Sequence, residues 1–334
     1  MMLATLFEQQ QRKYRYWLVG LGLALVAAML LSLQLGAVGV GIEALWQPVS
    51  RLEQQVFWHL RLPRTLLAVL VGASLALCGA VLQVLLHNPL AEPGLIGISS
   101  GASLAAVLTL SLSVHLGWSL PYWSLSLAAF VGALLVTLLL LALSRRRLGP
   151  GTLLLFGVAV GILANAVLTW LLYLADDASL RSFLFWMMGS LGHGQPLSLW
   201  WWLPALVTLI WLVRQGRRLD VLALGEHQAR LLGLNVRRLQ PRLVLAVCLL
   251  TAFGVAMAGP IGFVGLVVPH LLRLLVGGKQ RFLLPASMLA GGLVLTLADV
   301  AARTALTVGE LPIGAVTASL GAPVFIWLLV RRHA

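Results

Sequence analysis

Charge is the scarcest commodity in this sequence. Only 10% of its 334 residues are Asp, Glu, Lys or Arg, against about 25% in an ordinary soluble domain. Just ten are acidic, and only Lys13 and Lys279 are lysines. The two cysteines, Cys78 and Cys248, lie in apolar runs and read as small core residues, which excludes a disulfide scaffold. Nucleotide and hydrolase signatures are missing too. No G-x-x-x-x-G-K-[ST] occurs, because Gly278-Lys279-Gln280 lacks the earlier glycine and the Ser/Thr. No H-E-x-x-H, C-x-x-C or G-x-S-x-G is found, and the seven histidines are scattered, so neither a metal site nor a catalytic residue is assigned.

What is present is apolar. Residues of the AVILMFWYC set make up 60% of the chain, more than a soluble globule of this size can hide. The chain is read as an all-α, polytopic membrane protein. Ten segments are expected, at 17–36, 63–86, 94–114, 123–143, 152–174, 197–213, 243–259, 261–277, 282–300 and 312–330. The apolar stretch 243–277 exceeds the roughly 20 residues of one span. Gly259-Pro260 divides it with a turn signal. The first segment follows Arg12, Lys13 and Arg15 but is too long for a signal peptide and has no clear cleavage site, so it is read as a retained anchor.

The +13 net charge is distributed as a topology signal rather than as a nucleic-acid surface. With ten segments, 18 basic residues fall on one side. The other side holds five: Arg51, Arg61, Arg64, Arg181 and Arg303. Joining segments seven and eight would change the split to 14 and 9. The positive-inside rule therefore favours ten spans with both termini cytoplasmic. No sizeable soluble domain is expected, and residues 1–334 are read as one transmembrane domain. A weak internal echo, Pro63-Arg64…Leu67-Ala68-Val69 against Pro241-Arg242…Leu245-Ala246-Val247, has the form of an inverted repeat and is also within reach of chance.

Few ionisable groups fall inside the segments, which argues against ion-coupled transport. Asp299 and Arg303 share one helical face and read as a local ion pair. Gly157, Gly161, Ala164 and Asn165 mark one segment; Gly314, Thr317 and Gly321 mark another. Such stripes serve close helix packing, the favoured reading, or line a path with small groups. Two cytoplasmic connections are distinctive. His87 to Gly94 is polar and kinked. Asp220 to Val236 carries apolar residues at helical spacing, as a docking helix or a helix lying on the membrane would.

At these connections the sequence resembles the type II ABC importer permeases, which bring cobalamin, haem and iron–siderophores into bacteria. The resemblance runs through Arg61-Leu62-Pro63-Arg64, Asn88-Pro89-Leu90-Ala91-Glu92-Pro93-Gly94 and Leu224-Gly225-Glu226…Ala229…Leu232-Gly233. It continues through Gly259-Pro260-Ile261-Gly262-Phe263-Val264-Gly265-Leu266, Pro269-His270, Ala298-Asp299, Arg303 and Glu310-Leu311-Pro312-Ile313-Gly314. Phe185 to Gly189 and Gly321 to Leu329 are most similar to the cobalamin-carrying members, with haem or siderophore carriage the alternative.

The resemblance implies a permease without catalytic residues or cofactors of its own. It implies a homodimer with the path on the two-fold axis, lined by Gly157, Gly161, Asn165, Gly314, Thr317 and Gly321. Two cytoplasmic ATPase subunits, which use ATP and magnesium, would dock on a coupling loop at about 219–236. Its residues are Leu224, Gly225, Glu226, Ala229, Arg230, Leu232 and Gly233. A cytoplasmic gate would use Asn88, Pro89 and Leu90 together with Pro150 and Gly151, where Gly149-Pro150-Gly151 departs from the family's small hydroxyl residues. A periplasmic binding protein would place acidic residues on Arg61, Arg64 and Arg303. Arg61 and Arg64, flanking Pro63, would point the same way. The competing classes are a secondary transporter, which needs no ATPase, and a membrane-embedded enzyme, which needs a polar catalytic cluster.

Overall fold

Unbroken apolar runs rich in Leu, Ala and Val can satisfy their backbone in lipid only as helices, and a computed structural model of the chain is helical throughout its long apolar runs. It describes residues 2–36, 51–118, 120–121, 123–144, 150–192, 202–306 and 309–333. The helices are α1 (Met2–Gln34), α2 (Arg51–Gln55), α3 (Leu62–Leu85), α4 (Ile98–His115), α5 (Trp123–Ser144), α6 (Pro150–Tyr173) and α7 (Asp177–Met187). They continue as α8 (Trp202–Arg214), α9 (Gly216–Leu222), α10 (Glu226–Leu231), α11 (Val236–Ala258), α12 (Val264–Val276), α13 (Gln280–Thr304) and α14 (Ile313–His333). Among the described residues, seven helices are long and apolar enough to cross a membrane. Three shorter apolar helices, Trp202–Arg214, Val264–Val276 and Ile313–Trp327, lie at the remaining expected segments.

The central element is α3. Nineteen residues from Thr65 to Leu85 are buried in it. It packs against α11, α12 and α13. Glycine sets these approaches: a Cβ on Gly72 would strike the Gly291 carbonyl oxygen of α13, and one on Gly79 would strike the Gly265 carbonyl oxygen of α12. Backbone meets backbone, which is how helices gain contact where lipid removes the hydrophobic drive for association. Gly101 of α4 and Gly132 of α5 meet in the same way. By contrast, α1 lies at the edge and leaves most of its surface open.

Two connections depart from the expected segments. The one expected to enter a helix at 94 instead forms a 3-10 turn at Pro93–Ile96, and α4 starts only at Ile98, after Gly97 at φ +76°. This segment leaves the end of α3 and turns back into the protein. Pro93 packs beside Gly265, which in turn lies against Leu75, near the middle of α3. The second is the Gly259–Phe263 turn between α11 and α12. It also returns toward that level, so α12 is short. Irregular backbone at such depth is tolerable where protein surrounds it. An additional helix, α7, fills a connection expected to be only a short loop; Asp176 caps it by accepting from the Ser179 amide.

The glycine contacts generate a direct test. Gly79→Ala has only backbone to displace and is expected to lower stability by about 1–3 kcal/mol or more, seen as reduced melting temperature and folded yield in detergent. Gly20→Ala, where a Cβ meets nothing within 4 Å, should leave both unchanged.

Candidate functional site

Charge gathers at one end of α3. A six-residue π-helical stretch, Val56–Arg61, leads into it. There Arg61 reaches the end of α1 and donates from Nη1 to the Leu33 and Gln34 carbonyl oxygens at 2.9 and 3.2 Å. It thus satisfies terminal carbonyls that the helix itself leaves open. One turn on, Arg64 donates to Asp299 from Nε at 3.0 Å and from Nη2 at 2.8 Å. Its Nη1 and Nη2 also donate to the Glu310 carboxylate at 2.7 and 2.9 Å. Arg303 stands 3.5 Å from the other Asp299 oxygen and donates to the Ser32 carbonyl and hydroxyl oxygens. The hydroxyls of Ser32 and Thr65 are hydrogen-bonded at 2.7 Å.

Asp299 is only 1% exposed and lies between two guanidiniums, with Arg64 the closer. The local Asp299–Arg303 pair expected from spacing is therefore the weaker half of an ion cluster that joins α1, α3, α13 and the connection carrying Glu310. The expectation that Arg61 and Arg64 point the same way is corrected: Arg61 turns to α1 and Arg64 to α13 and Glu310. All three arginines expected at a partner socket are engaged within the chain. Glu310, 46% exposed, is the outward-facing member.

At the opposite end, α9 and α10 form a bracket. Gly225 at φ +106° and Gly233 at φ +83° frame α10. Both values lie where a side chain is strained. Glu226 holds Arg230 at 3.0 Å and accepts from Gln240 of α11, also at 3.0 Å. Ala229 is completely buried against the body, whereas Leu224, Leu231 and Leu232 are exposed. The bracket thus has an apolar outer face and a fixed inner one. Behind it, Asp220 of α9 accepts from the Gln280 amide and pairs with Arg281 at 3.3 Å, tying the bracket to the start of α13.

The small-residue stripes turn inward. Gly157 and Gly161 of α6 pack on Ile96 and Gly97. Gly314 of α14 packs on the Met188 carbonyl, Gly321 packs on Phe263, and Thr317 is buried. Asn165 is the exposed member of the six. Asn88 forms an Asx turn, its side-chain oxygen accepting from the Leu90 amide at 2.9 Å; Leu90 is exposed and Pro89 half-buried. Pro150 and Gly151 open α6, and Gly149 lies outside the described residues.

Sequence reasoning gave no role to Glu92 or Phe263. Glu92, half-buried, accepts from the Phe263 amide at 3.3 Å. Phe263 is a non-glycine residue at φ +69°, a conformation costing on the order of 1–3 kcal/mol. The two returning connections are therefore joined by one hydrogen bond, and the Phe263 side chain lies against Gly321 of α14. The Phe263-Val264-Gly265 sequence contained no local signal for this.

Two substitutions separate these roles. Asp299→Ala removes the carboxylate that two largely buried guanidiniums share and is expected to cost about 3–5 kcal/mol, whereas Glu310→Gln, at the exposed edge, should cost under about 1 kcal/mol; melting in detergent measures both. Glu92→Ala should cost about 1–3 kcal/mol by leaving the Phe263 amide unpaired, and Glu92→Gln, which keeps an acceptor, should recover most of it in the same assay.

Comparison with known proteins places these features. The FecCD transport family matches residues 24–331. The vitamin B12 import system permease protein BtuC of Vibrio cholerae is 49% identical over 327 residues, covering 98% of this chain and 96% of its own. Its namesake in Klebsiella pneumoniae is 47% identical over 333 residues, covering 98% of each. A solved structure described as an inward-facing conformation of a metal-chelate type ABC transporter superposes with a TM-score of 0.84 at 34% identity, over 94% of this chain and 98% of that one. The chain belongs to the FecCD transport family.

Proposed function

We propose that this chain is the membrane permease of an ATP-driven importer that moves vitamin B12 from periplasm to cytoplasm through the bacterial inner membrane. It is a transport subunit rather than an enzyme. The observation that carries the substrate is the 47–49% identity, over nearly the whole chain, to permeases named for vitamin B12 import. A metal-chelate substrate such as haem or an iron–siderophore is the second reading, supported by the structural neighbour at the lower identity of 34%. On the first reading the chain has ten spans in one transmembrane domain and both ends in the cytoplasm. It pairs with a second copy and meets a periplasmic binding protein on one side and two ATPase subunits on the other. It binds no cofactor itself; ATP and magnesium belong to the ATPases.

The α9–α10 bracket supports the ATPase contact. Leu224, Leu231 and Leu232 supply exposed apolar anchors beside fixed charges, and the buried Ala229 and the Asp220 contacts would pass force from the bracket into the body. Beside their small-residue stripes, α6 and α14 present exposed side chains. Leu163, Asn165 and Trp170 on α6, with Leu320, Val324 and Trp327 on α14, are exposed. These faces would meet the second copy and bound the path, while the glycines let the supporting turns approach from behind. Of the three arginines Arg61, Arg64 and Arg303, Arg64 is the most exposed. A partner carboxylate would take the place of exposed Glu310, while buried Asp299 keeps hold of the other edge.

The test is reconstitution. Purified with its ATPase and binding protein in liposomes, the chain should support uptake of labelled cobalamin only with hydrolysable ATP. Gly225→Val, strained at φ +106°, should still insert but reduce uptake by on the order of tenfold while ATP hydrolysis continues. Uptake driven by an ion gradient without ATP would overturn the reading in favour of a secondary transporter. ATP-driven uptake of haem or a siderophore in preference to cobalamin would shift the substrate.

A further inference from the structure

A cleft of about 790 Å³ opens between the 10–18 stretch of α1, the end of α9 and the start of α13. Its position along the chain is informative. Leu18 and Phe282 line it, and they stand where the apolar runs of α1 and α13 begin. The cleft therefore straddles the boundary between the hydrocarbon and the polar surface. Its wall on α1 belongs to a peripheral helix most of whose surface is uncovered by the rest of the chain.

The chemistry of the rim is cationic. Arg15, Lys279 and Arg281 are exposed and line the cleft, and Asp220 is the lining carboxylate, leaving a net charge of +2 from three cations and one anion. Asp220 is committed to the start of α13 through the Gln280 amide and Arg281. Lys279 donates from Nζ to Gln10 at 3.0 Å, and Gln10 donates to the Tyr14 hydroxyl at 3.0 Å. Tyr14 stacks on Phe282 with ring centroids 4.4 Å apart and planes 16° from parallel. This stack and its hydrogen-bonded chain hold α1 and α13 apart at a fixed width. Arg15 has no hydrogen bond or ion pair to another described residue.

We propose that this cleft is a binding site for the headgroup of an anionic glycerophospholipid, with the phosphate on Arg15 and Lys279 and the first acyl carbons over Leu18 and Phe282. A basic pocket between membrane helices at the polar boundary suits such a headgroup. The apolar floor favours a lipid over a free phosphate, which would gain from the cations alone. Gln10, which meets Lys279, and Tyr14 supply further polar atoms at the level of the phosphate. The site depends on the chain spanning a membrane and not on what the chain transports.

Native mass spectrometry of the full-length protein in a mild detergent tests the site, with added phosphatidylglycerol, phosphatidylcholine or inorganic phosphate. Phosphatidylglycerol is expected to remain bound in preference to phosphatidylcholine. Arg15→Gln with Lys279→Gln should weaken it by about thirtyfold, each cation near the surface contributing about 1 kcal/mol. Phosphatidylcholine retention should not change. A photoactivatable phosphatidylglycerol on the unaltered protein should crosslink to residues 10–18 and 278–282, a readout independent of how the variant folds. Equal retention of the two lipids, undiminished binding by the double variant, crosslinks elsewhere, or displacement of the lipid by millimolar phosphate would each overturn the proposal.

Discussion

In a bilayer the solvent around a helix is as apolar as the helix, so the approach of backbones at small residues has to supply much of the energy of association. That constraint organises this molecule around α3. Gly72 faces Gly291 and Gly79 faces Gly265, so α13 and α12 lie on opposite stretches of one helix at backbone distance. Their spacing of seven residues keeps both on one side of α3. Because α12 is seated at Gly79, its first turn falls near the middle of α3, and the preceding chain has to reach that depth without being helical. The Gly259–Phe263 turn and the 87–97 connection follow from this placement. Each is irregular where a lipid-exposed chain could not be, and each is partly covered by its neighbours, with Ala91, Ile96 and Gly259 buried.

The ion cluster works under the opposite constraint. Burying charge is costly, and a buried pair of charges seldom adds net stability over a well-packed apolar core. Its stronger consequence here is register. Asp299 can be satisfied only when α13 is at one height against Arg64 of α3 and when Arg303 meets the end of α1. Arg61 repeats the constraint through the Leu33 and Gln34 carbonyls. Glycine contacts set how closely the helices approach; the cluster adds a polar constraint on their relative height. It also leaves Glu310 as the only carboxylate of the five charged groups that is substantially exposed.

The helices of the long apolar runs were legible because an apolar run in a membrane has one backbone solution. The division at Gly259-Pro260 was legible because a 35-residue apolar stretch exceeds one crossing and the turn signal sits near its middle. Gly225 and Gly233 were readable as the ends of a short helix, and both have positive φ. What escaped were long-range choices. Asp299 and Arg303 satisfy the helical spacing rule, yet a residue 235 positions away offers the better geometry. The repeated small residues of α6 and α14 showed that something approaches closely; they did not show from which side. The return of the 87–97 segment left only Glu92 and the two prolines as signs, since the partner amide belongs to Phe263 in a different half of the chain.

That last contact bears on how the two faces of the molecule communicate. Coupling between distant sites requires physically contiguous elements with more than one arrangement. From the bracket, Asp220 grips the start of α13. At the same end of α3, the connection beginning at His87 runs inward to Glu92. Glu92 fixes the amide of a residue held in a costly backbone conformation, and that residue's side chain rests on a glycine of α14. Two features suit such a junction to rearrangement. The hydrogen bond is single and 3.3 Å long, and Phe263 is held at φ +69°. By contrast, the Gly72–Gly291 and Gly79–Gly265 contacts have no soft atoms to displace. The molecule therefore pairs a spine of backbone contacts, α3 with α12 and α13, with a junction at Phe263 that rests on one hydrogen bond and one side-chain contact to α14.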